Sequence, residues 1–308
     1  MSMLLQISKS HNIILFSSIL LALSLVVGST IWDMSRERLI LSTTTSTHDT
    51  GLLDYLIPMF ESKYHIKIDV ISQGTGQAIE TARRGDADIV LVHSRTAEEV
   101  FVNGGDGMHR VGIMYNDFII VGPSNDPAGI RGKTNATEAL TKIFNVGTQG
   151  RTFFISRGDN SGTHLKEKAI WAKTGLTPIG SWYLETGRGM GDVLTTTNEK
   201  QGYTLSDRGT WLSFKANLNL EVMVEGDEFL LNPYAVILVN PEKHSHVNYS
   251  EALHFVKFMV SSDGQYFIEN FKVGGETLFI PIARNYSYSK ILGFPSQEAE
   301  VAWYDSKQ

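Results

Sequence analysis

The chain between residues 39 and 92 reads LILSTTTSTHDTGLLDYLIPMFESKYHIKIDVISQGTGQAIETARRGDADIVLV. Its strand-like runs are short and either apolar or alternating, and they lie at residues 39–41, 66–71 and 89–92. Helical patterns separate these runs at residues 52–60, where apolar side chains recur on one face, and at 77–84, where Gly85 follows as a cap. This order of strand, helix, strand, helix, strand predicts a parallel sheet with helices on its faces.

The rest of the chain continues this α/β alternation. An extended run at 118–121 ends at Gly122-Pro123, and the turn-rich stretch after it, 124–132, is typical of a crossover. Later elements are predicted as helices at 164–173, 249–260 and 264–271 and a strand at 234–239. Pro58 lies inside the first helical pattern and predicts a kink or a break there, because proline has no backbone N–H to donate.

The composition excludes several classes of protein. With 308 residues, 42% hydrophobic and 19% charged, the chain has the balance of a globular protein of one large domain or two ordinary ones. Its net charge of -6 argues against a nucleic-acid partner, which requires a basic face. It has no cysteine, which excludes disulfides, thiolate metal sites, a cysteine nucleophile and a lipid-modified cysteine anchor.

The N-terminus carries an uncharged run from Asn12 to Trp32. Its length reaches the roughly 20 residues that a membrane span needs, so it predicts a secretory signal or an uncleaved anchor within residues 13–32. A buried core helix is the alternative, although such helices are usually amphipathic. A signal or an anchor places the chain that follows outside the cytoplasm, at the periplasmic or extracellular face of the membrane.

The strongest local signal is the run Arg157-Gly158-Asp159-Asn160-Ser161-Gly162-Thr163 at a predicted helix start. A helix N-terminus presents free N–H groups and partial positive charge, Ser161 and Thr163 add hydroxyls, and Gly162 allows close approach of the backbone. Arg157 adds a permanently charged fork of donors. These groups suit a fully ionised oxyanion. We expect Asp159 to brace Arg157 instead of facing the ligand, although a capped helix with a surface ion pair explains the same residues.

Further hydroxyls follow the strands of the predicted parallel sheet. They lie in the turns at Thr44-Thr45-Ser46 and Gly74-Thr75-Gly76, and at Ser94 after the third strand. Each is an ordinary helix cap when taken alone. Together they lie at the carboxyl edge of the sheet, where open α/β sheets bind ligands.

Catalysis is the alternative to binding. Ser161 sits in a loop that resembles a serine-hydrolase nucleophile loop, but the Gly-x-Ser-x-Gly spacing is absent and no particular histidine is indicated as the base. The nine histidines do not form a His-Glu-x-x-His pattern, and there is no nucleotide-phosphate loop. We therefore expect no catalytic residues, no metal and no cofactor. A sensor domain that reports the anion to a membrane partner is a further alternative.

Several motifs in one order resemble the substrate-binding proteins of tungstate ABC transporters, the Tup type. They run from Leu39 to the C-terminal region: Thr43-Thr44-Thr45-Ser46, Gly74-Thr75-Gly76-Gln77-Ala78, Gly85-Asp86-Ala87-Asp88, Leu91-Val92-His93-Ser94, Asn116-Asp117-Phe118, Ser156-Arg157-Gly158-Asp159, Ser161-Gly162-Thr163-His164, Gly189-Met190-Gly191 and Tyr203-Thr204-Leu205-Ser206-Asp207-Arg208-Gly209-Thr210. The element around Arg157 is less specific by itself, because it also resembles phosphate-binding proteins of related transporters.

The resemblance implies a two-lobed type II periplasmic-binding-protein fold, in which each lobe is a central sheet flanked by helices. Residues 1–36 would be the signal peptide or membrane anchor that precedes it. Lobe 1 would combine residues 37–122 with 233–308, and lobe 2 would be residues 123–232. Closure of the lobes over one dianion would be the mechanism.

The resemblance also implies a function and a ligand site. The protein would capture tungstate outside the cell membrane and deliver it to an ABC permease, with molybdate or phosphate as alternative oxyanions. The ligand-binding residues would be Thr44, Thr45, Ser46, Thr75, Ser94, Arg157, Ser161, Gly162 and Thr163, with Asp159 in support. Which hydroxyl of the first turn contacts the ligand is left open by the sequence.

Overall fold

The computed structural model describes residues 37–159 and 161–307. The predicted signal or anchor, including residues 13–32, lies outside the described residues. Among the described residues, no helix is long and apolar enough to cross a membrane.

Strands and helices alternate along the chain, as the sequence predicts. The strands are β1 (Glu37–Thr44), β2 (Ile66–Gln73), β3 (Ile89–Val92), β4 (Gly107–Pro123), β5 (Phe154–Ser156), β6 (Tyr183–Glu185), β7 (Thr204–Asp207), β8 (Leu220–Val224), β9 (Leu231–Val239), β10 (Lys272–Val273), β11 (Glu276–Thr277) and β12 (Ile280–Pro281). The helices are α1 (Thr45–His48), α2 (Leu52–Tyr64), α3 (Thr75–Arg83), α4 (Arg95–Asn103), α5 (Ala136–Gly147), α6 (Gly162–Thr174), α7 (Met190–Lys200), α8 (Arg208–Phe214), α9 (Tyr249–Val260), α10 (Ser262–Asn270), α11 (Tyr286–Ser289) and α12 (Gln297–Ser306).

The predicted parallel unit is confirmed. Strand β1 pairs in parallel with β2 on one side and with β3 on the other, in a sheet ordered β12-β4-β9-β3-β1-β2. Thr43 aligns with Leu91 of β3, and Thr44 aligns with Gln73 of β2. The carboxyl ends of the three strands therefore meet at one edge, which carries the hydroxyl-rich turn.

Two long strands connect the halves of the molecule. The first part of β4 pairs with β9, and its last residues, 118–123, pair with β7 and β8 instead. Asn116 of β4 and Asn232 of β9 are opposite each other at the crossing point, and both are buried. Beyond the crossing, a separate apolar cluster draws its buried members only from residues 118–230. The limits of the two lobes stay a prediction.

The structure corrects two local expectations. Helix α2 runs through Pro58 without the break that the sequence allowed, and Leu56 and Phe60 on either side of the proline are fully buried in the core; a kink at Pro58 stays a prediction. The extended run expected at 118–121 is the end of the 17-residue strand β4, whose earlier part is less regular in its polarity.

Candidate oxyanion site

A cleft of about 340 Å³ lies between the carboxyl edge of β1–β3 and the N-terminus of α6. Most of the predicted site residues line it, namely Thr44, Thr45, Ser46, Thr75, Arg157, Ser161, Gly162 and Thr163. A neighbouring recess of about 390 Å³ shares Arg157 and Asp207 with it and extends toward the start of α7. Residues far apart in the chain thus form one cleft.

Ser94 is not brought into this group. Its backbone N–H donates to Glu98 Oε1 at 2.6 Å at the start of α4, and it does not line the cleft. The preceding residue, His93, lines the cleft in its place.

The turn after β1 is a chain of hydroxyls. Thr44 is the N-cap of α1 and is almost fully buried, and its Oγ1 accepts from Thr47 N–H at 3.2 Å and lies 2.6 Å from Thr47 Oγ1. Thr45 and Ser46 are exposed at the cleft, and Ser46 Oγ lies 3.1 Å from Thr44 Oγ1. Thr45 and Ser46 are therefore placed to donate to a ligand.

The opposite wall of the cleft is the loop after β5, and it carries the positive charge of Arg157. Arg157 follows β5, and its Nε donates to Asp159 Oδ2 at 2.8 Å, which is the contact predicted from the sequence. Asp159 Oδ1 also accepts from Ser161 N–H at 3.0 Å. The loop can turn this tightly because Gly158 has φ +67°, and a Cβ there would lie 2.9 Å from Glu185 Cβ.

The Asp159 carboxyl is held ionised. Burial raises its pKa, but hydrogen bonds from the Ser161 hydroxyl and N–H, together with the Arg157 charge, outweigh burial and lower the pKa below its usual value. Asp159 therefore stays an acceptor for the guanidinium and leaves the other N–H groups of Arg157 for the cleft.

Helix α6 begins at the cleft. Ser161 is its N-cap, with Oγ accepting from His164 N–H at 3.4 Å, and the helix runs for 13 residues to Gly175. The N–H groups of its first turn have no acceptor within the helix, so they offer donors and partial positive charge. A Cβ on Gly162 would lie 3.6 Å from His93 Cε1, so the two walls approach closely here.

Sequence reasoning missed part of the lining. His93, Asn116, Asp207, Asn232 and Tyr234 also face the cleft. The Asp207 carboxylate is occupied by Thr210, whose N–H donates to Oδ1 at 2.8 Å and whose hydroxyl donates to Oδ2 at 2.8 Å. His93, Asn116 and Asp207 stand in motifs quoted for the family resemblance, whereas no quoted motif contains Asn232 or Tyr234.

A second cation lies behind the cleft wall. Lys166 of α6 donates from Nζ to the carbonyl of Phe229 at 2.9 Å and lies over the rings of Phe118 and Phe229. Burial lowers the pKa of Lys166 to about 8. It remains mostly protonated at neutral pH and ties α6 to the residues that lead into β9.

The arrangement of groups in the cleft can bind an anion. In the parts of the chain that the structure describes, no three His, Asp or Glu side chains are grouped to hold a metal ion. The cleft instead gathers hydroxyls, a braced guanidinium and a helix N-terminus.

Comparison with known proteins identifies the class first. A family model described as a PBP superfamily domain matches residues 29–263, and the chain belongs to this family. The family match confirms the two-lobed α/β fold that the sequence predicts.

More specific similarities agree with the resemblance stated from the motifs, which is confirmed. The chain is 47% identical to the tungstate-binding protein TupA of Peptoclostridium acidaminophilum over 81% of this chain and 87% of that protein. The solved structure of the tungstate-binding protein TupA from Desulfovibrio alaskensis matches with a TM-score of 0.75 and 42% identity, covering 80% of this chain and 98% of that chain. The structure described as the tungstate ABC transporter from Geobacter sulfurreducens matches with a TM-score of 0.66 and 48% identity, covering 76% of this chain and 99% of that chain.

Proposed function

We propose that the protein captures tungstate outside the cytoplasm and delivers it to an ABC permease, without breaking a bond. The observation that carries the proposal is the composition of the cleft. Neutral hydroxyls at Thr45 and Ser46 face a braced Arg157 and the N-terminus of a 13-residue helix. The names of the relatives support tungstate as the ligand.

The chemistry of the ligand fits such a site. Tungstate is a dianion with no proton near neutral pH, so it accepts hydrogen bonds and donates none. Each net hydrogen bond to a charged group contributes about 1.5–3 kcal/mol. A handful of them gives nanomolar affinity, about -12 kcal/mol, after the costs of ordering and closure.

Phosphate differs from tungstate because monohydrogen phosphate carries a proton and benefits from a free acceptor. Asp207, which lines the cleft, and Asp159, which follows Arg157, already accept hydrogen bonds from Thr210 and Arg157 respectively. This occupation favours an unprotonated oxyanion. Molybdate has the same charge and shape as tungstate, so a titration must separate the two.

The proposed ligand set is Thr45, Ser46 and Thr75 from lobe 1 and Arg157, Ser161, Gly162 and Thr163 from lobe 2, with Asp159 bracing Arg157. Lobe 1 would be residues 37–122 and 233–308, and lobe 2 residues 123–232, with β4 and β9 as the connecting strands. We expect closure of the lobes on binding. The N-terminal segment at 13–32 would direct export or anchor the protein at the membrane.

The experiment is a parallel incubation of the protein with tungstate, molybdate and phosphate, read by native mass and by thermal unfolding. Tungstate should add one anion per chain and raise the unfolding temperature most. Small-angle scattering with saturating tungstate should show a smaller radius than without it. A shift with phosphate alone would contradict the proposal.

A further inference from the structure

His93 lies at the end of β3, on the floor of the cleft, and both of its ring nitrogens have partners. Nδ1 is 3.0 Å from Asn232 Oδ1, while Nε2 is 3.1 Å from Ser46 Oγ and 3.2 Å from Thr44 Oγ1. The ring stacks on Tyr234, with centroids 4.7 Å apart. A histidine in this position joins the crossing strands to the hydroxyl turn.

The partners of Asn232 fix the tautomer of His93. Asn232 Nδ2 donates to Asn116 Oδ1 at 2.8 Å and to Tyr234 OH at 3.2 Å, which turns its carbonyl oxygen toward His93. An amide oxygen only accepts, so His93 Nδ1 carries the proton. Burial lowers the pKa of His93 and outweighs the hydrogen bond that Nδ1–H donates to Asn232 and the charge of Asp207, so near neutral pH the ring is uncharged and Nε2 is an acceptor.

The position of the Thr44 proton follows from the same contacts. Thr47 is fully buried, and its hydroxyl lies 2.6 Å from Thr44 Oγ1, which also accepts Thr47 N–H. Thr44 Oγ1 accepts the Thr47 N–H, and either hydroxyl of the Thr44–Thr47 pair can donate to the other. With Thr47 as the donor, the Thr44 proton is available to His93 Nε2. Ser46 Oγ lies 3.1 Å from the same nitrogen, but Ser46 is exposed at the cleft and Thr44 is buried, so a bound ligand can take the Ser46 proton while Thr44 donates to His93.

We infer that His93 is a positioning residue for the anion site, and this inference rests on the proposed function. Its Nε2 binds the Thr44 proton, so that Ser46 and Thr45 are the hydroxyls of the first turn that donate to the oxyanion. A chain of hydrogen bonds, here called the relay, joins Asn116 to Asn232, Asn232 to His93 and His93 to Thr44. It assigns the contact that the sequence left open.

Two substitutions separate this role from packing. His93→Phe keeps a ring on Tyr234 but has no acceptor, so Thr44 Oγ1 and Ser46 Oγ both lose the ring nitrogen that holds them in place and the hydroxyls of the turn are no longer fixed in direction. His93→Gln loses the ring but keeps an oxygen that can accept the Thr44 proton. By calorimetry with sodium tungstate, we expect His93→Phe to weaken binding up to about fivefold, the effect of losing one neutral donor, and His93→Gln to weaken it less than about twofold.

The opposite order, with His93→Gln weaker than His93→Phe, would assign His93 to packing and overturn the inference. Nitrogen-15 NMR of the imidazole in the unliganded wild-type protein gives a second, ligand-independent readout. We expect the neutral tautomer with the proton on Nδ1 between about pH 6.5 and 8, and a proton on Nε2 would overturn the relay. Failure of the wild-type protein to bind tungstate would instead contradict the proposed function, and the NMR result would still decide the state of His93.

Discussion

The two walls of the cleft offer hydrogen-bond donors in different ways. The wall formed by the turn after β1 is neutral, and its hydroxyls are ordered by one another and by His93. The wall formed by the loop after β5 is charged, with Arg157 held by Asp159 beside the start of α6. We therefore expect the charged wall to supply most of the attraction for the proposed oxyanion and the neutral wall to fix the directions of its hydrogen bonds.

The helices that begin at the two walls differ in length, and the longer helix begins at the charged wall. Helix α1 has four residues, too few to build much of a macrodipole, whereas α6 has 13. The N-terminus of α6 therefore adds to the positive potential of Arg157. Substitutions that remove a donor from the charged wall should therefore weaken tungstate binding more than substitutions that remove a donor from the neutral wall.

The largest expected effect is on the stability of the fold, and it concerns Glu167, which is hydrogen-bonded to Ser156 next to Arg157. Buried Glu167 of α6 accepts from the hydroxyls of Ser156 and Tyr183, and burial raises its pKa to about 7. The folded state therefore holds a proton that the unfolded state, with its ordinary pKa near 4.5, has lost, and stability falls as pH rises from about 4.5 to 7.

Glu167→Gln should remove this fall. Relative to the variant, the wild-type protein should lose about 2–3 kcal/mol of unfolding free energy between pH 5 and pH 8. Urea unfolding of both proteins at the two pH values measures it. Parallel pH profiles would show that Glu167 ionises in the folded protein as it does in the unfolded chain.

The next effect is the loss of charge from the cleft. Arg157→Ala should weaken tungstate binding by at least about 2 kcal/mol, since a charge-assisted contact is lost. The fold should survive because Arg157 lies in a loop at the cleft. Arg84→Ala is the matched control, because Arg84 is an exposed arginine paired with Asp86 at the end of α3. Equal affinities for the two variants by calorimetry would remove Arg157 from the site.

A smaller effect is expected on the neutral wall. Ser46→Ala should weaken tungstate binding by about 1 kcal/mol, the value of one hydrogen bond from a neutral donor. Thr148→Ala, which removes a hydroxyl at the exposed end of α5, serves as the control for any general effect. A loss for Ser46→Ala larger than that for Arg157→Ala would reverse the proposed division between the walls.

The smallest expected effect on tungstate binding concerns Asp159, which braces Arg157. Asp159→Asn should weaken tungstate binding only a few-fold, because the amide oxygen can still accept from Arg157 Nε. The lowered pKa of Asp159 also means that it does not titrate between about pH 6 and 8, so it should add no pH dependence to tungstate binding in that range. Titrations of wild type and variant at both ends of the range test the two statements. A steep pH dependence that disappears in Asp159→Asn would show that this carboxyl does titrate there.

Local patterns predicted much of the fold and of the charged wall. The strands and helices between Leu39 and Val92 follow from periodicity, and the Arg157–Asp159 contact follows from a spacing of two residues around a glycine. The neutral wall was harder to predict because its order comes from distant residues. His93 and Asn232 are 139 positions apart, and nothing near either residue indicates the other.

The placement of Ser94 and the length of β4 illustrate the same limit. The sequence places a hydroxyl at the end of β3, but whether His93 or Ser94 faces the cleft depends on how the chain leaves the sheet. Strand β4 changes partners at residue 118, and its pairing with β9, β7 and β8 is decided by segments more than 80 residues away. Tertiary pairing of this kind leaves no periodic signal in the strand itself.

We propose that the two walls together select a fully deprotonated dianion. The most direct test of this selection is calorimetric titration of the protein with tungstate and with phosphate, side by side at about pH 7. The proposal predicts one tungstate bound per chain with nanomolar affinity and weak or undetectable binding of phosphate. Tight phosphate binding with weak tungstate binding would contradict it and would identify a phosphate carrier.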